Sequence, residues 1–413
     1  MDQIEVRPIG PSDPLSDPFL RRELVQRYLV WDAYVAGARR VELHPLVLPR
    51  ALHLKAVRAA EEVVRVVGDI AARAHDDADE RARYRLPACV DALAAASRSS
   101  GDDAILARVD LLLGQDGEWH ACEINADCPG GHNEALGLPQ LARAAGFVGA
   151  FDPTLVPGAL VDRLAGLARG KAVGLVHATA YAEDLQICAL LQRLLERRGV
   201  RALLVPPTAP RVRGGELVFR GEALGALYRY FPAEYMEGQE NLDDVIAAVG
   251  SGAVRTITSF SHIYAQSKLA FARAWAHVGS LDAPSRASLD AYVAESYDVT
   301  AVARESLVNE RARWVVKRAL GRVGDEVYVG PLCTDAEWAA LVSEVLELCA
   351  RGQTWIAQRF VPQRAIPTPW GDRFVTLGAY VLDGRFAGYF ARITPESHVS
   401  HDALCVPVFT EAA

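Results

Sequence analysis

Residues 105–134, ILARVDLLLGQDGEWHACEINADCPGGHNE, set two carboxylates, an amide and a guanidinium at alternating positions. The stretch reads as two strands joined at Gly114–Gly117 and followed by a glycine-containing loop. Side chains alternate faces along a strand, so Arg108 and Asp110 share one face of the first strand, and Glu123 and Asn125 share one face of the second. A turn centred on Gln115–Asp116 sets Arg108 opposite Glu123. A turn centred on Asp116–Gly117, the sharper local signal, sets Asp110 opposite Glu123 and Arg108 opposite Asn125. Either register gathers all four on one face and leaves Val109, Leu111, Cys122 and Ile124 for the core. Oxygen donors beside a guanidinium suit Mg²⁺ holding a polyphosphate. On the hairpin alone, a surface salt-bridge ladder accounts for the same residues.

Further along, VVKRALGRVG (Val315 to Gly324) carries a lysine at the end of an apolar strand and leads into a turn with two glycines. Lysine offers a point charge to a phosphate, and glycine lets backbone N–H groups approach it. The spacing is neither that of a Walker A loop nor that of a dinucleotide fingerprint. WIAQRFVP (Trp355 to Pro362) reads as a strand whose end offers backbone groups to a base edge while Phe360 or Val361 covers the ring; a core strand leaving its sheet reads the same way. Arg392 ends another strand within reach of a phosphate, or stands as a surface cation.

The elements that must carry these residues follow from hydrophobic periodicity. A chain of 413 residues implies two or three domains. Residues 1–20 read as an irregular arm, and 21–43 and 49–75 as helices. Short helices are expected near 91–96 and 138–145. Lys171–His177, Ala182–Arg198 and Val200–Val205 alternate strand, helix and strand, with Gly199 stopping the helix, which is the pattern of a parallel βαβ unit. From Ser261 onward the pattern predicts a helix over 265–277 containing Lys268, a strand over 314–318, an amphipathic helix over 335–350, a strand over 355–360, and a hairpin over 374–393 turning at Asp383–Gly384. The implied division is 1–165, a helical region plus the hairpin; 166–260, a small open α/β domain; and 261–413.

Hydrophobic residues make up 51% and charged residues 23%, as in an ordinary globular chain. The net charge of −8 offers no general attraction to nucleic acid or anionic membrane. The amino terminus lacks a signal-peptide pattern, and no apolar run is long enough to span a bilayer. Seven cysteines without a CxxC suggest neither a disulfide framework nor structural zinc, and point to a cytoplasmic setting.

In order, these pieces resemble the glutathionylspermidine synthase-like group of circularly permuted ATP-grasp ligases. The resemblance runs from about Arg108 to Val408. Arg108-x-Asp110 with Glu123-x-Asn125-Ala126-Asp127-x-Pro129 is similar to that family's metal-and-phosphate motif. Tyr181–Asp184, Phe231–Met236 and Gln266-Ser267-Lys268 resemble its acidic, aromatic–proline and Ser-Asn-Lys segments. Lys317 with Gly321-Arg322-Val323-Gly324 is similar to its glycine loop, Gln358 to Val361 falls at its adenine strand, and Gly388 to Arg392 at its late strand ending in arginine. The metal motif precedes both lysines, the order of the permuted family. The chain departs from the pattern at Arg318, where proline is usual, at Ile393-Thr394, where acidic residues are usual, and at Cys128, where threonine is common.

The resemblance implies an α/β fold: a circularly permuted ATP-grasp with a small open pre-ATP-grasp substrate domain and an amino-terminal helical region. It implies ATP and Mg²⁺ as cofactors, and joining of a small-molecule carboxylate to an amine through an acyl phosphate, with no nucleic acid or membrane partner. It assigns catalysis to Arg108 and metal binding to Asp110, Glu123 and Asn125. Nucleotide contacts fall to Lys268, Lys317, Gly321, Gly324, Gln358, Arg359, Phe360, Val361 and Arg392, and substrate contacts to Gly130, Gly131, Glu134 and Glu183. Two other readings use the same site: a kinase-like transfer to a hydroxyl, and nucleotide binding without turnover. A zinc hydrolase built on His398 and His401 lacks a placed third ligand.

Overall fold

The computed structural model describes residues 3–10, 13–35, 37–321, 326–399 and 403–411. Its centre is a five-stranded antiparallel sheet in which the sequence hairpin Leu106–Leu113 and Trp119–Asn125 is joined by the carboxy-terminal hairpin Phe374–Leu382 and Arg385–Thr394, with Leu404–Val406 at the edge. Strand Phe374–Leu382 lies directly beside Leu106–Leu113, pairing Gly378 with Asp110 and Tyr380 with Arg108. It pairs Thr376 with Arg392 on its other side.

One face of this sheet is apolar. Val109, Leu111, Ile124, Leu377, Ala379, Ala391 and Ile393 pack against the long helix Arg50–Asp76. That helix presents Ala56, Ala59, Ala60, Val63, Val67 and Ile70 at spacings of three and four, so that one side meets the sheet. The opposite face carries Arg108, Asp110, Thr376 and Arg392, and a second antiparallel sheet stands across from it. This sheet has the order Ser296–Asp298, Trp355–Arg359, Trp314–Arg318, Val327–Val329. It rests on the amphipathic helix Asp335–Ala350, which begins with the reciprocal Thr334–Glu337 capping hydrogen bonds.

The βαβ unit appears as expected. Ala172–His177 is parallel to Ala202–Val205 across the helix Ala182–Arg197, and Glu222–Tyr230 joins on the other side, in a six-stranded mixed sheet. The two ends of the chain meet where Leu46–Leu48 pairs with both Glu5–Val6 and Val408–Thr410. Among the described residues, no helix is long and apolar enough to cross a membrane.

Several local expectations are corrected. Residues 21–43 are not one helix: helix Pro18–Gln26 ends there, and a small hairpin, Tyr34–Val35 with Ala38–Arg39, follows. The segment forms its own small core on Leu20, Leu24, Tyr28 and Val30 beside the helix His132–Ala144, a packing that the 3.6-residue pattern alone did not separate from a helix. That last helix starts six residues earlier than expected, so Glu134 lies on its first turn. The helix over 265–277 is broken into Ile263–Gln266 and Leu269–Ala276. Ser267 is extended, and Lys268 N–H donates to Ala319 O at 2.8 Å instead of continuing the helical ladder.

Gly378 is the tightest point beneath the polar face. A Cβ there would lie 2.7 Å from Arg108 Cδ and 2.9 Å from the Phe390 carbonyl oxygen. The backbone oxygen cannot move aside cheaply, so Gly378→Ala is expected to cost about 1–3 kcal/mol. Urea denaturation of the variant beside the parent measures this, and an unchanged midpoint would refute the close packing.

Candidate active site

The hairpin reaches its register in two steps. Leu113 pairs with Trp119 and Leu111 with Ala121, around a turn in which Gly117 takes φ +79° and its N–H donates to Gly114 O. Continued unchanged, that register would point Glu123 and Asn125 toward the long helix. A bulge between the pairs Leu111/Ala121 and Asp110/Glu123 adds one residue, Cys122. Beyond it Asp110 faces Glu123 and Arg108 faces Asn125, as the turn centred on Asp116–Gly117 required. The placement of Cys122 in the core is corrected by the same bulge: Cys122 lines the cleft between the two sheets.

The charged residues meet in that cleft. Arg108 donates to Asp110 from Nε at 2.7 Å and from Nη2 at 3.0 Å. Arg392 Nη2 donates to Asp110 Oδ2 at 2.6 Å from the carboxy-terminal hairpin. Lys268 Nζ, at the helix break, lies 3.2 Å from Glu123 Oε2 and donates to Gly321 O at 2.7 Å. Lys317 comes from the opposing sheet and donates to Cys122 O and to Gln358 Oε1, each at 2.8 Å. Gln358 in turn donates to Ser296 Oγ at 3.0 Å. Burial by itself would raise the Glu123 carboxyl, but Lys268, Lys317, Arg392 and Arg108, in that order, hold it well below the usual carboxylate range. Burial lowers the Lys317 ammonium.

The cleft spans about 760 Å³ of space, part of it open to solvent. Asp110, Glu123, Thr376 and Arg392 line one wall, and Lys317, Gln358, Arg359, Phe360 and Val361 line the other. Arg359 also stacks its guanidinium 3.9 Å from the Trp314 ring centroid. The donor set suits a hard cation: two carboxylates paired across adjacent strands, with the Asn125 amide two residues further on the same face. Gly321 is present as the Lys268 acceptor, whereas Gly324 lies outside the described residues. His398 lines the cleft, His401 lies outside the described residues, and among those described no three His, Cys, Asp or Glu side chains group as a metal site.

The glycine loop continues from the metal-type residues. Gly130 O accepts from Arg108 Nη1 at 3.0 Å and from the Tyr380 hydroxyl. Gly131 takes φ +89°, and a Cβ there would meet the Phe390 ring at 2.7 Å, so glycine is required on both counts. Glu134 is buried on the following helical turn, whereas Glu183 is exposed on the first turn of Ala182–Arg197. The sequence reading missed Tyr380 and Phe390, although their strand positions beside Gly378 and Arg392 carry the signal. It also missed the buried Arg229–Asp127 ion pair, at 2.5 Å, which anchors the same loop.

Burial, followed by the charges of Asp32 and Glu183, pushes the Glu134 carboxyl up to about 8. Between the ordinary value near 4.5 and about 8 the folded protein retains a proton that the unfolded chain has released. This contribution to stability therefore falls as pH rises through that window. Thermal melts across it are expected to decline less steeply for Glu134→Gln than for the parent; parallel curves would refute the shifted carboxyl.

Comparisons with known proteins bear on the family and the fold. A family model described as glutathionylspermidine synthase preATP-grasp matches residues 50–409. A search of curated proteins finds no match. Among solved structures 48 chains match. One is a glutathione synthetase-like effector from Globodera pallida in its apo form, with a TM-score of 0.58 at 11% identity, covering 97% of this chain and 98% of that one. At that identity the likeness bears on the fold, which is mixed α/β of the ATP-grasp kind, with the carboxylate hairpin ahead of both lysines as the permuted order requires. The family match covers most of the sequence, and this chain belongs to the glutathionylspermidine synthase preATP-grasp family.

Proposed function

We propose that the protein is an ADP-forming ligase that joins a small-molecule carboxylate to an amine. The observation that carries this reading is the cleft between the two sheets: Asp110 and Glu123 stand on one wall, and Lys317 reaches across from the other to within 2.8 Å of the Cys122 carbonyl. Phosphoryl transfer needs charge neutralisation and alignment more than covalent help from the protein.

In this reading Gln358, Arg359, Phe360 and Val361 hold the base, and Lys268, Lys317 and Arg392 meet the phosphates. Gly321 belongs to the same phosphate site through its contact with Lys268, and the family resemblance assigns Gly324 to it as well. Asp110, Glu123 and Asn125 would hold Mg²⁺, which when bound would neutralise phosphate charge. A substrate carboxylate oxygen attacks the γ-phosphorus, the bond to the β-phosphate oxygen breaks, and ADP leaves an acyl phosphate. Arg108 stabilises charge on the transferring group, and then on the oxyanion formed as the amine nitrogen adds to the acyl carbon and phosphate departs. Gly130, Gly131, Glu134 and Glu183 contact the substrates.

The test is incubation with ATP, Mg²⁺, hydroxylamine and a panel of amino acids and short peptides. Carboxylate-dependent hydroxamate with ADP release is expected. Phosphorylated alcohol would replace the ligase by a kinase-like enzyme, and absence of nucleotide binding would remove both. In the same assay Glu123→Gln and Lys317→Ala are each expected to lower the rate by about 100-fold or more with the fold retained by circular dichroism. Full activity in either variant contradicts its role.

A further inference from the structure

The first turn of the helix His132–Ala144 gathers buried polar atoms with no hydrogen-bond partner among the described residues. They are His132 Nδ1, Asn133 Oδ1 and Glu134 Oε2, and Arg40 Nε adds a fourth from the amino-terminal segment. Buried polar atoms without a partner are costly, and such atoms are few in native proteins. The turn begins next to Gly130, whose carbonyl binds Arg108. The Glu134 carboxyl also acts electrostatically on Tyr380, the second residue bound to that carbonyl.

Asp32 is fixed beside this turn by a chain of hydrogen bonds. Gln186 Nε2 donates to Asp32 Oδ1 at 3.0 Å, and Trp31 N–H donates to Gln186 Oε1 at 2.8 Å. Asn133 Nδ2, next to Glu134 in sequence, donates to Gln186 O at 3.1 Å and to Tyr28 O at 2.8 Å. The Asp32 side chain is 25% exposed, so an incoming group can reach it, while Glu134 is 7% exposed. Arg40 Nη1 lies 3.7 Å from Asp32 and offsets part of its charge.

We infer that Asp32 and Glu134 form the subsite for the attacking amine, where Asp32 attracts its ammonium form and Glu134 takes its proton. The inference rests on the ligase reading above and adds a residue from outside the matched span 50–409. An ammonium has no lone pair with which to attack. In the ionised form of Glu134, whose share grows as pH rises toward about 8, transfer of one N–H proton to Oε2 breaks the N–H bond and forms O–H, leaving the pair on nitrogen. The nitrogen then bonds to the acyl carbon, the carbon–oxygen bond to phosphate breaks, and the second N–H proton leaves with the departing phosphate. A buried carboxyl influenced by Asp32, Glu183 and Arg40 holds a proton more readily than an exposed one, as a base for an amine must.

Hydroxylamine separates binding and deprotonation of the amine from formation of the acyl phosphate, because it is mainly uncharged at neutral pH and needs no base. The parent, Glu134→Gln and Asp32→Asn are assayed with ATP, Mg²⁺ and the active carboxylate, first with hydroxylamine and then with ethylamine, 1,4-diaminobutane and lysinamide. The ratio of amide to hydroxamate is expected to fall about 100-fold in Glu134→Gln, mainly in kcat. In Asp32→Asn it is expected to fall roughly tenfold, mainly in the KM of the amine. Ratios equal to the parent's in both variants overturn the subsite while leaving the ligase reading intact. A parent that forms neither product withdraws the ligase reading, and the subsite with it.

Discussion

Asp110 is almost wholly buried, and two guanidinium groups from distant parts of the chain hold it there. A buried carboxylate without such partners would pass to its neutral form, and removing one partner of a buried pair typically costs about 3–5 kcal/mol. Arg108 comes from the same strand, but Arg392 lies 282 positions later. The carboxy-terminal hairpin must therefore lie in the same sheet as the carboxylate hairpin, and the pairing of Gly378 with Asp110 is how it does so. That pairing has its own condition, since a side chain at 378 would occupy the space of Arg108. The chain ends then close the arrangement through the three-stranded sheet that joins residues near 5, 47 and 409.

Much of this was legible in the sequence because it rests on alternation and turn chemistry. Strand Trp314–Arg318 and helix Asp335–Ala350 have the expected bounds, and the hairpin at Asp383–Gly384 turns where two successive positive-φ residues allow it. The shared face of Arg108, Asp110, Glu123 and Asn125 was read correctly, yet the route to it was not. A three-residue turn followed by a bulge gives the same pairing that a two-residue turn would give. Alternation cannot distinguish these, because each bulge shifts the register by one and reverses the faces beyond it.

What the sequence concealed is long-range. Lys268 sits within an apolar helical pattern, and its departure from that helix depends on a hydrogen bond to Ala319, fifty-one positions later. The amino-terminal segment was read as helix because its leucines recur at helical spacing. Its real constraint is contact with the helix His132–Ala144 and with Gln186, which no local pattern contains. In the same way Glu134 reads locally as a favourable charge on a first helical turn. Only the surrounding burial makes it a carboxyl with an unfilled oxygen.

The balance of charge in the cleft explains why its two walls stay poised around an opening. Arg108, Lys268, Lys317 and Arg392 face Asp110 and Glu123, so four cations meet two carboxylates. Glu123 is held ionised by this excess, and Lys317 spans the cleft by binding a backbone carbonyl and the Gln358 amide. Neutral acceptors stabilise an ammonium less than a carboxylate does, in keeping with the lowered proton affinity of Lys317. In the proposed ligase a polyphosphate would supply the missing negative charge, and a divalent ion carried with it would share Asp110 and Glu123 with the resident cations. A bare divalent ion would add positive charge to a site already in excess. Under the proposed function the electrostatics would therefore favour the phosphate chain and its metal arriving together, with the carboxylates shared among lysine, arginine and metal instead of reserved for the metal.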